Sequence, residues 1–376
     1  MQSVCSTVEP GAEGVFVQVV SMQGRLALGR LGASLDALHD DLASRVEVRR
    51  PWLESWIRAF PRWDPWIVGV QHQGRLRAVA PLARRTVAGC IQVVSICHSD
   101  QDVSPLVSAS AADAELLVDA IRSELDGTNR PWRLHLRQLD VDGAEAEAAK
   151  NLLVVHQRVP GVARLELAMD GTGHVGVSRN MRSSAARHGN RLARSEHDVD
   201  GRWVSDPAVI TRSIDEILWV HHARDLELRG RSALSDAAGR SYYLGVVRAH
   251  LDQLELYELR LDGVLAAYSL CVRDGGRLFV FDNRMNPTFA RFAPGLLANV
   301  ETVRRAVEDP GVSLLDWGSG EQQYKLSASN RVVPSVELLA WSSPLFRRAA
   351  RARRDAAHAV RSLRRGNALA GTVGSR

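Results

Sequence analysis

The stretch from residue 277 to 318 constrains the fold more than any other part of this chain. "RLFVFDNRM" reads as a strand, "APGLLANVETVRRAVED" as a helix and "VSLLDWG" as a second strand. That succession is a βαβ unit, whose two strands lie parallel in one sheet and are joined by a right-handed crossover. The chain is therefore predicted to be α/β, with a mixed twisted sheet flanked by helices.

The same unit holds the candidate chemistry. Pro294 suits the first helical turn, where its missing N–H is not needed. Gly295 beside it lets a ligand approach the backbone. A helix that starts at the carboxyl end of a strand presents free amides and the positive end of its dipole, which makes an anion site; an ordinary crossover helix with a convenient start fits the same residues. Alternation places Leu278, Val280 and Asp282 on one face of the first strand, and Leu314 and Asp316 on one face of the second. Both strands thus change from apolar to carboxylate at their carboxyl ends. The glycines of "WGSGEQQYKL" can then turn the chain back and return Lys325 to that edge.

A lysine there is unusual. Of 48 basic residues only Lys150 and Lys325 are lysine; the other 46 are arginine. An arginine is a fixed planar fork, whereas a lysine is a compact ammonium whose pKa shifts readily. A carboxylate and an ammonium beside a helix start can bind an anionic cofactor and polarise a carbonyl. A structural salt bridge is the alternative.

At 376 residues the chain suits two compact lobes. "IVGVQHQGRLRAVAPL" and "LYELRLDGVLAAYSL" are hairpins around Gly74 and Asp262-Gly263, one in each half, which predicts two lobes of similar plan, 15–165 and 166–342. Trp52 and Trp56 share a helix face and are read as core rather than as a stacking platform. Residues 343–376 form a basic tail with helical composition. Between 347 and 376 nine arginines face one aspartate, so of the net charge of +5 the tail supplies +8 and the rest −3. A mildly acidic body argues against a nucleic-acid footprint on the lobes; the tail reads as a solvated helix followed by a disordered end, with weak contact to anionic membrane or a partner as the alternative. No secretory signal, membrane-length apolar run or Cys/His metal spacing is visible, so a cytoplasmic protein without metal is expected.

Two further patterns bear on mechanism. "SRNMRSSAARHGNRLARSE" is a helix with a basic face, solvated or anion-binding. His221 and Asp225 form His-x-x-x-Asp, the core of an unrelated acyltransferase class, but here they sit at i and i+4 of a helical run with Leu226 where that class has glycine. No persuasive nucleophile elbow is present.

The segment "FDNRMNPTFARFAPGLLANVETVRRAVEDPGVSLLDWGSGEQQYKLSASN" resembles the C-terminal signature of GNAT-superfamily acyltransferases of the cellulose-biosynthesis type, relatives of the Fem peptidyltransferases. "PWLESWIRAF", "GRLRAVAPLARR", "SDQDVSPLV" and "SRNMRSSAARHGNRL" are similar to that family's blocks in the same order, so the resemblance spans roughly 15–340. It implies two tandem GNAT lobes and acyl transfer from a thioester to an amine or hydroxyl of a small metabolite or saccharide. It also implies a donor along the helix near Arg291, Pro294, Gly295, Leu296 and Leu297. Tyr324-Lys325 resembles the aromatic-Lys pair of Fem ligases, which implies catalytic roles for Lys325 and Tyr324, with Asp316 beside them. Asp282, Asp102 and Arg191 are the expected substrate contacts. The usual pyrophosphate-loop spacing is absent from "RFAPGLL". The co-substrate is accordingly acyl-coenzyme A, an acyl carrier protein or an aminoacyl-tRNA, with no permanently bound cofactor; a non-catalytic scaffold in polysaccharide or natural-product assembly is the remaining expectation.

Overall fold

The structure is a computed structural model that describes residues 8–10, 16–96, 104–152, 154–167 and 177–348. Its first half runs β1 (Val8–Pro10), β2 (Phe16–Gln23), α1 (Ala27–Asp41), α2 (Arg50–Ala59), β3 (Asp64–His72), β4 (Arg75–Val87), β5 (Cys90–Ser95), β6 (Val107–Ser108), α3 (Ala111–Asp126), β7 (Trp132–Asp140), α4 (Ala144–Ala148) and β8 (Val154–Glu166). Its second half runs α5 (Arg179–Ala193), β9 (Val199–Val204), α6 (Pro207–Arg229), α7 (Ala237–Ala249), β10 (Leu254–Leu261), β11 (Val264–Asp274), β12 (Arg277–Met285), α8 (Pro294–Glu308), β13 (Leu314–Ser319), α9 (Gln323–Leu326) and β14 (Arg331–Trp341).

Among the described residues the strands form one mixed sheet in the order β1-β2-β3-β4-β5-β7-β14-β8-β13-β12-β11-β10-β9, with β6 on β4. The two halves repeat one plan. An antiparallel meander (β2 to β5, and β9 to β12) leads through a crossover helix (α3, α8) to a parallel strand (β7, β13). Each plan ends on an antiparallel strand borrowed from the other half. β8 follows β7 in sequence but pairs with β13, and β14 follows β13 but pairs with β7. β14 and β8 also pair with each other, which joins the two sheets into one. The boundary expected at 165/166 falls at the end of β8, a strand held between β13 and β14.

Local chemistry accounts for the elements around the site. Asp206 caps α6 by accepting from Ala208 N–H, Pro207 starts the helix, and Gly230 ends it in the left-handed region at φ 65°. Ser178 caps α5 through Met181 N–H. The Asp262-Gly263 turn has positive φ at both positions, 52° and 79°, as a tight hairpin demands. β14 carries Pro334 inside a strand, which is tolerated because its pairing with β8 shifts register between Val333 and Ser335.

Two helical layers cover the sheet. On one face α1, α2, α6 and α7 share a core in which Trp52, Trp56, Tyr243, Tyr268 and Phe279 are buried, so the tryptophan pair is core. On the other face α3 covers the first sheet, while α8 covers Leu278, Val280, Leu315 and Trp317 of the second. Most of the basic tail, residues 349–376, lies outside the described residues. No helix among the described residues is long and apolar enough to cross a membrane.

Candidate active site

β12 and β13 pair over only three positions, from Arg277 opposite Leu314 to Phe279 opposite Asp316, and then part. Gly318 helps to drive the parting. It has φ +68°, and a Cβ built there would stand 3.3 Å from the Phe279 ring. Between the diverging strands lies a cleft of about 300 Å³. Asn283 and Met285 of β12, Trp317 and Ser319 of β13, Gly295 and Asn299 of α8, and Tyr324 and Lys325 of α9 line it.

Lys325 is brought here as expected, by a single helical turn. Its Nζ donates to the carbonyls of Trp317, at 2.7 Å, and Ser319, at 2.6 Å. An ammonium has three hydrogens, so one is left for the cleft. Burial pushes its pKa down to about 8, against the pull of the Asp316 charge and with the push of Arg284. It is thus still mostly charged at neutral pH. Tyr324 stands edge-on to Trp317 with ring centroids 5.9 Å apart. Its hydroxyl donates to Asn283 Oδ1 at 3.2 Å, and Asn283 Nδ2 donates to Asn299 Oδ1 at 2.8 Å. A polar chain therefore crosses the cleft from α9 to α8.

Asp282 lines the cleft but reaches it from the face opposite to Leu278 and Val280, contrary to the alternation read from sequence. The reason is a bulge: Leu270 pairs with Asp282 while the next residue, Cys271, pairs with Val280, so Phe281 is the extra residue. Past the bulge the side chains change face. Asp282 consequently points away from α8 and into a buried cluster under α6 and α7. Its Oδ2 meets His221 Nδ1 at 2.8 Å and accepts from the hydroxyls of Tyr243, at 3.0 Å, and Tyr268, at 2.5 Å. Arg284 Nη1 lies 3.1 Å from Oδ1. On its other side His221 Nε2 is 3.1 Å from Asp225 Oδ2.

The ionisation follows from these contacts. Burial lowers the His221 pKa, but the Asp282 charge and the hydrogen bonds of both carboxylates outweigh it and lift the value to about 9. Burial raises Asp282, yet the charges of His221 and Arg284 hold it well below the usual carboxylate range. Tyr243 and Tyr268 are pushed well above a normal phenol, first by burial and then by the Asp282 charge. At neutral pH the cluster is an imidazolium and a guanidinium with two carboxylates.

Asp316 is not in the cleft. It is fully buried, with Arg277 Nη2 at 3.0 Å and Arg164 Nε at 3.3 Å, and its Oδ1 accepts from Gly318 N–H at 2.8 Å. Arg277 in turn reaches Glu47 of the first half at 2.7 Å. The expected catalytic carboxylate is instead a structural one, because Asp316 lies on the face where the two halves meet.

The expected donor residues divide. Gly295 and Leu296 line the cleft. Pro294 is buried at the helix start, and Leu297 packs against the buried clusters that hold Phe292 and Tyr257. Arg291 is exposed, stacked on Phe292 at 4.5 Å, and does not line the cleft. Arg191 donates to the Arg291 carbonyl at 3.0 Å, a tie between α5 and the 287–292 turn rather than a substrate contact. The rest of the α5 basic face is solvated. Asp102 lies outside the described residues. Sequence reading passed over Asn283, Arg284, Tyr243 and Tyr268 and set His221 aside. Its i, i+4 relation to Asp225 was visible, but its link to Asp282 was not.

Residues 179–326 match the family described as an acetyltransferase (GNAT) domain. Among solved structures the chain resembles FemX, with a TM-score of 0.56 and 11% identity over 81% of this chain and 94% of that one. It also resembles a protein of unknown function from Bacteroides thetaiotaomicron VPI-5482, with a TM-score of 0.52 and 12% identity over 82% and 97% of the two chains. A tandem GNAT protein from the clavulanic acid biosynthesis pathway gives a TM-score of 0.49 at 15% identity over 87% and 99%. No curated protein sequence matches the chain. At such identities the structural likeness speaks for the fold alone. The segment that holds the cleft thus matches the acetyltransferase (GNAT) family, within a mixed α/β fold whose two halves repeat one plan.

Proposed function

We propose that the chain is an acyltransferase of the cellulose-biosynthesis type. In this reading the lobes are 15–165 and 166–342, exchanging β8 and β14, and the second lobe seats the donor thioester in the cleft between β12 and β13. The observation that carries the reading is the cleft itself: splayed parallel strands, the start of α8 with Gly295 on one side, and a buried ammonium on the other. A bound amine or hydroxyl attacks the thioester carbon directly. The new C–N or C–O bond forms, the C–S bond breaks, the sulfur leaves as thiolate, and the proton shed by the nucleophile passes to the thiolate or to solvent. The free N–H of Lys325 meets the negative charge that develops on the carbonyl oxygen. Tyr324, tied to Asn283, sets the width of the cleft.

A second donor class is favoured by one feature. Leu296 and Leu297 N–H both turn back onto the Ala293 carbonyl, Pro294 has no N–H, and Arg291 is turned away, so the helix start offers little beyond the Gly295 amide to a pyrophosphate. A donor that does not need that cradle, such as an acyl carrier protein or an aminoacyl-tRNA, suits it. Thermal denaturation of the full chain with acetyl- and longer acyl-coenzyme A, an acyl-pantetheine and an aminoacyl-tRNA separates the cases. A donor at a hundred times its Kd stabilises by about 2.7 kcal/mol. Stabilisation by none of them overturns the acyltransferase reading.

A further inference from the structure

Behind the cleft, where the two halves meet, lies a second cavity of about 400 Å³. Its wall is aromatic: Trp52 of α2 and Phe60 just after it come from the first half, and Phe281 and Tyr242 from the second. Trp52 Nε1 donates to the Tyr242 hydroxyl at 2.7 Å, which satisfies the polar atom of the indole within the wall. The floor is polar and is shared with the cleft, for Asp225, Asp282 and Arg284 line both spaces. Arg229, which lines the cleft as well, and Arg231, which lines only this cavity, are both exposed. Arg260, Arg273, Arg277 and Arg284 are each held by two or more carboxylates. Among the described residues no carboxylate pairs with Arg229 or Arg231 in that way.

We infer that this cavity binds the acyl acceptor, and that the acceptor is a small molecule with an apolar or aromatic body, a nucleophilic amine or hydroxyl at one end and an anionic group at the other. The inference rests on the acyl-transfer reading. The two spaces share this floor, so the nucleophilic end belongs there, next to the splayed strands. Aromatic rings around a volume of this size suit an apolar or aromatic body. The exposed guanidinium groups there, Arg231 above all, want a carboxylate or phosphate, which they bind as planar forks. An acyl chain of the donor fits less well, because it would have to pass the ionised floor to reach the aromatic wall.

Calorimetry on the full chain tests this with 4-(aminomethyl)benzoate, its uncharged methyl ester and the corresponding phosphonate. The acid or the phosphonate is expected to bind about tenfold to a hundredfold tighter than the ester, the worth of a hydrogen bond to a charged group. Whichever of the two binds tighter identifies the anion. Arg231→Gln, at an exposed position, is expected to close the gap between acid and ester. Leu234→Trp, which fills the cavity, is expected to remove binding of all three. Equal affinity of acid and ester, a gap that survives Arg231→Gln, or no binding of any probe overturns the proposal. Donor binding to the wild type is scored separately: a donor response with no acid preference sinks the acceptor assignment alone, whereas an acid preference with no donor response sinks the acyl-transfer reading and leaves an anion-binding cavity.

Discussion

His221 Nδ1 lies 2.8 Å from Asp282 Oδ2, although 61 residues separate them in sequence. One sits in the middle of α6 and the other just past the bulge of β12, and both are buried. This contact gives the floor shared by the two cavities a fixed charge arrangement, and it makes that floor sensitive to pH.

The His221 pKa is raised from 6.5 to about 9 on folding. A raised value means the folded chain holds the proton more tightly, so the stabilisation is complete below pH 6.5 and is lost as pH rises through about 9. Its size is on the order of 3 kcal/mol. Lys325, lowered from 10.5 to about 8, works with the opposite sign above pH 8. The comparison is therefore between wild type and His221→Gln, melted from pH 6 to 10. The gap in melting temperature is expected to shrink as pH rises; a constant gap means that His221 is neutral in the fold.

Lys325→Ala is expected to lower turnover about 10²- to 10³-fold, the usual effect of losing one donor to a developing oxyanion. It also releases two buried carbonyls, so a loss of about 1–3 kcal/mol in stability accompanies it. The pH profile distinguishes the two effects. If the ammonium acts in catalysis, wild-type turnover per folded molecule declines as pH rises through about 8; a flat profile in that range leaves Lys325 as a tie between α9 and β13.

Asp316→Asn removes the carboxylate that neutralises Arg277 and Arg164 in a buried site. Breaking one partner of such a network typically costs about 3–5 kcal/mol. Denaturant unfolding is expected to show that loss, while turnover per folded molecule stays near wild type. A hundredfold drop in turnover at full folding would return Asp316 to the chemistry.

Gly295→Val addresses the donor. A Cβ built at Gly295 stands 3.3 Å from Met285 Cβ, a contact that a small shift relieves, and the γ carbons of valine then enter the cleft. Donor-induced stabilisation is expected to disappear with the melting temperature of the free protein changed little. Gly295→Ala is the milder control, and full donor binding by Gly295→Val would place the donor elsewhere.

Sequence by itself determined much of this protein. The βαβ unit at 277–318 is legible because a strand, a helix and a strand each carry their own period and start signals, and the turns at Gly74 and Asp262-Gly263 announce their hairpins. Lys325 stood out through the near absence of lysine, and Gly295 through its place after a proline at a helix start. Tertiary structure decided the rest, for reasons that local pattern does not hold. Asp282 changed face because β12 bulges against β11, and a bulge belongs to the register of two strands. Asp316 became structural because Arg164 of β8 and Arg277, itself held by Glu47 of the first half, reach it. β14 was hidden by Pro334, which its bulge accommodates, and the exchange of β8 with β14 has no local signature because each strand is patterned for a sheet without naming its neighbour. His221 showed only its helical partner Asp225; its meeting with Asp282 depends on how α6 lies on the sheet, a packing of distant apolar faces that spacing along the chain does not record.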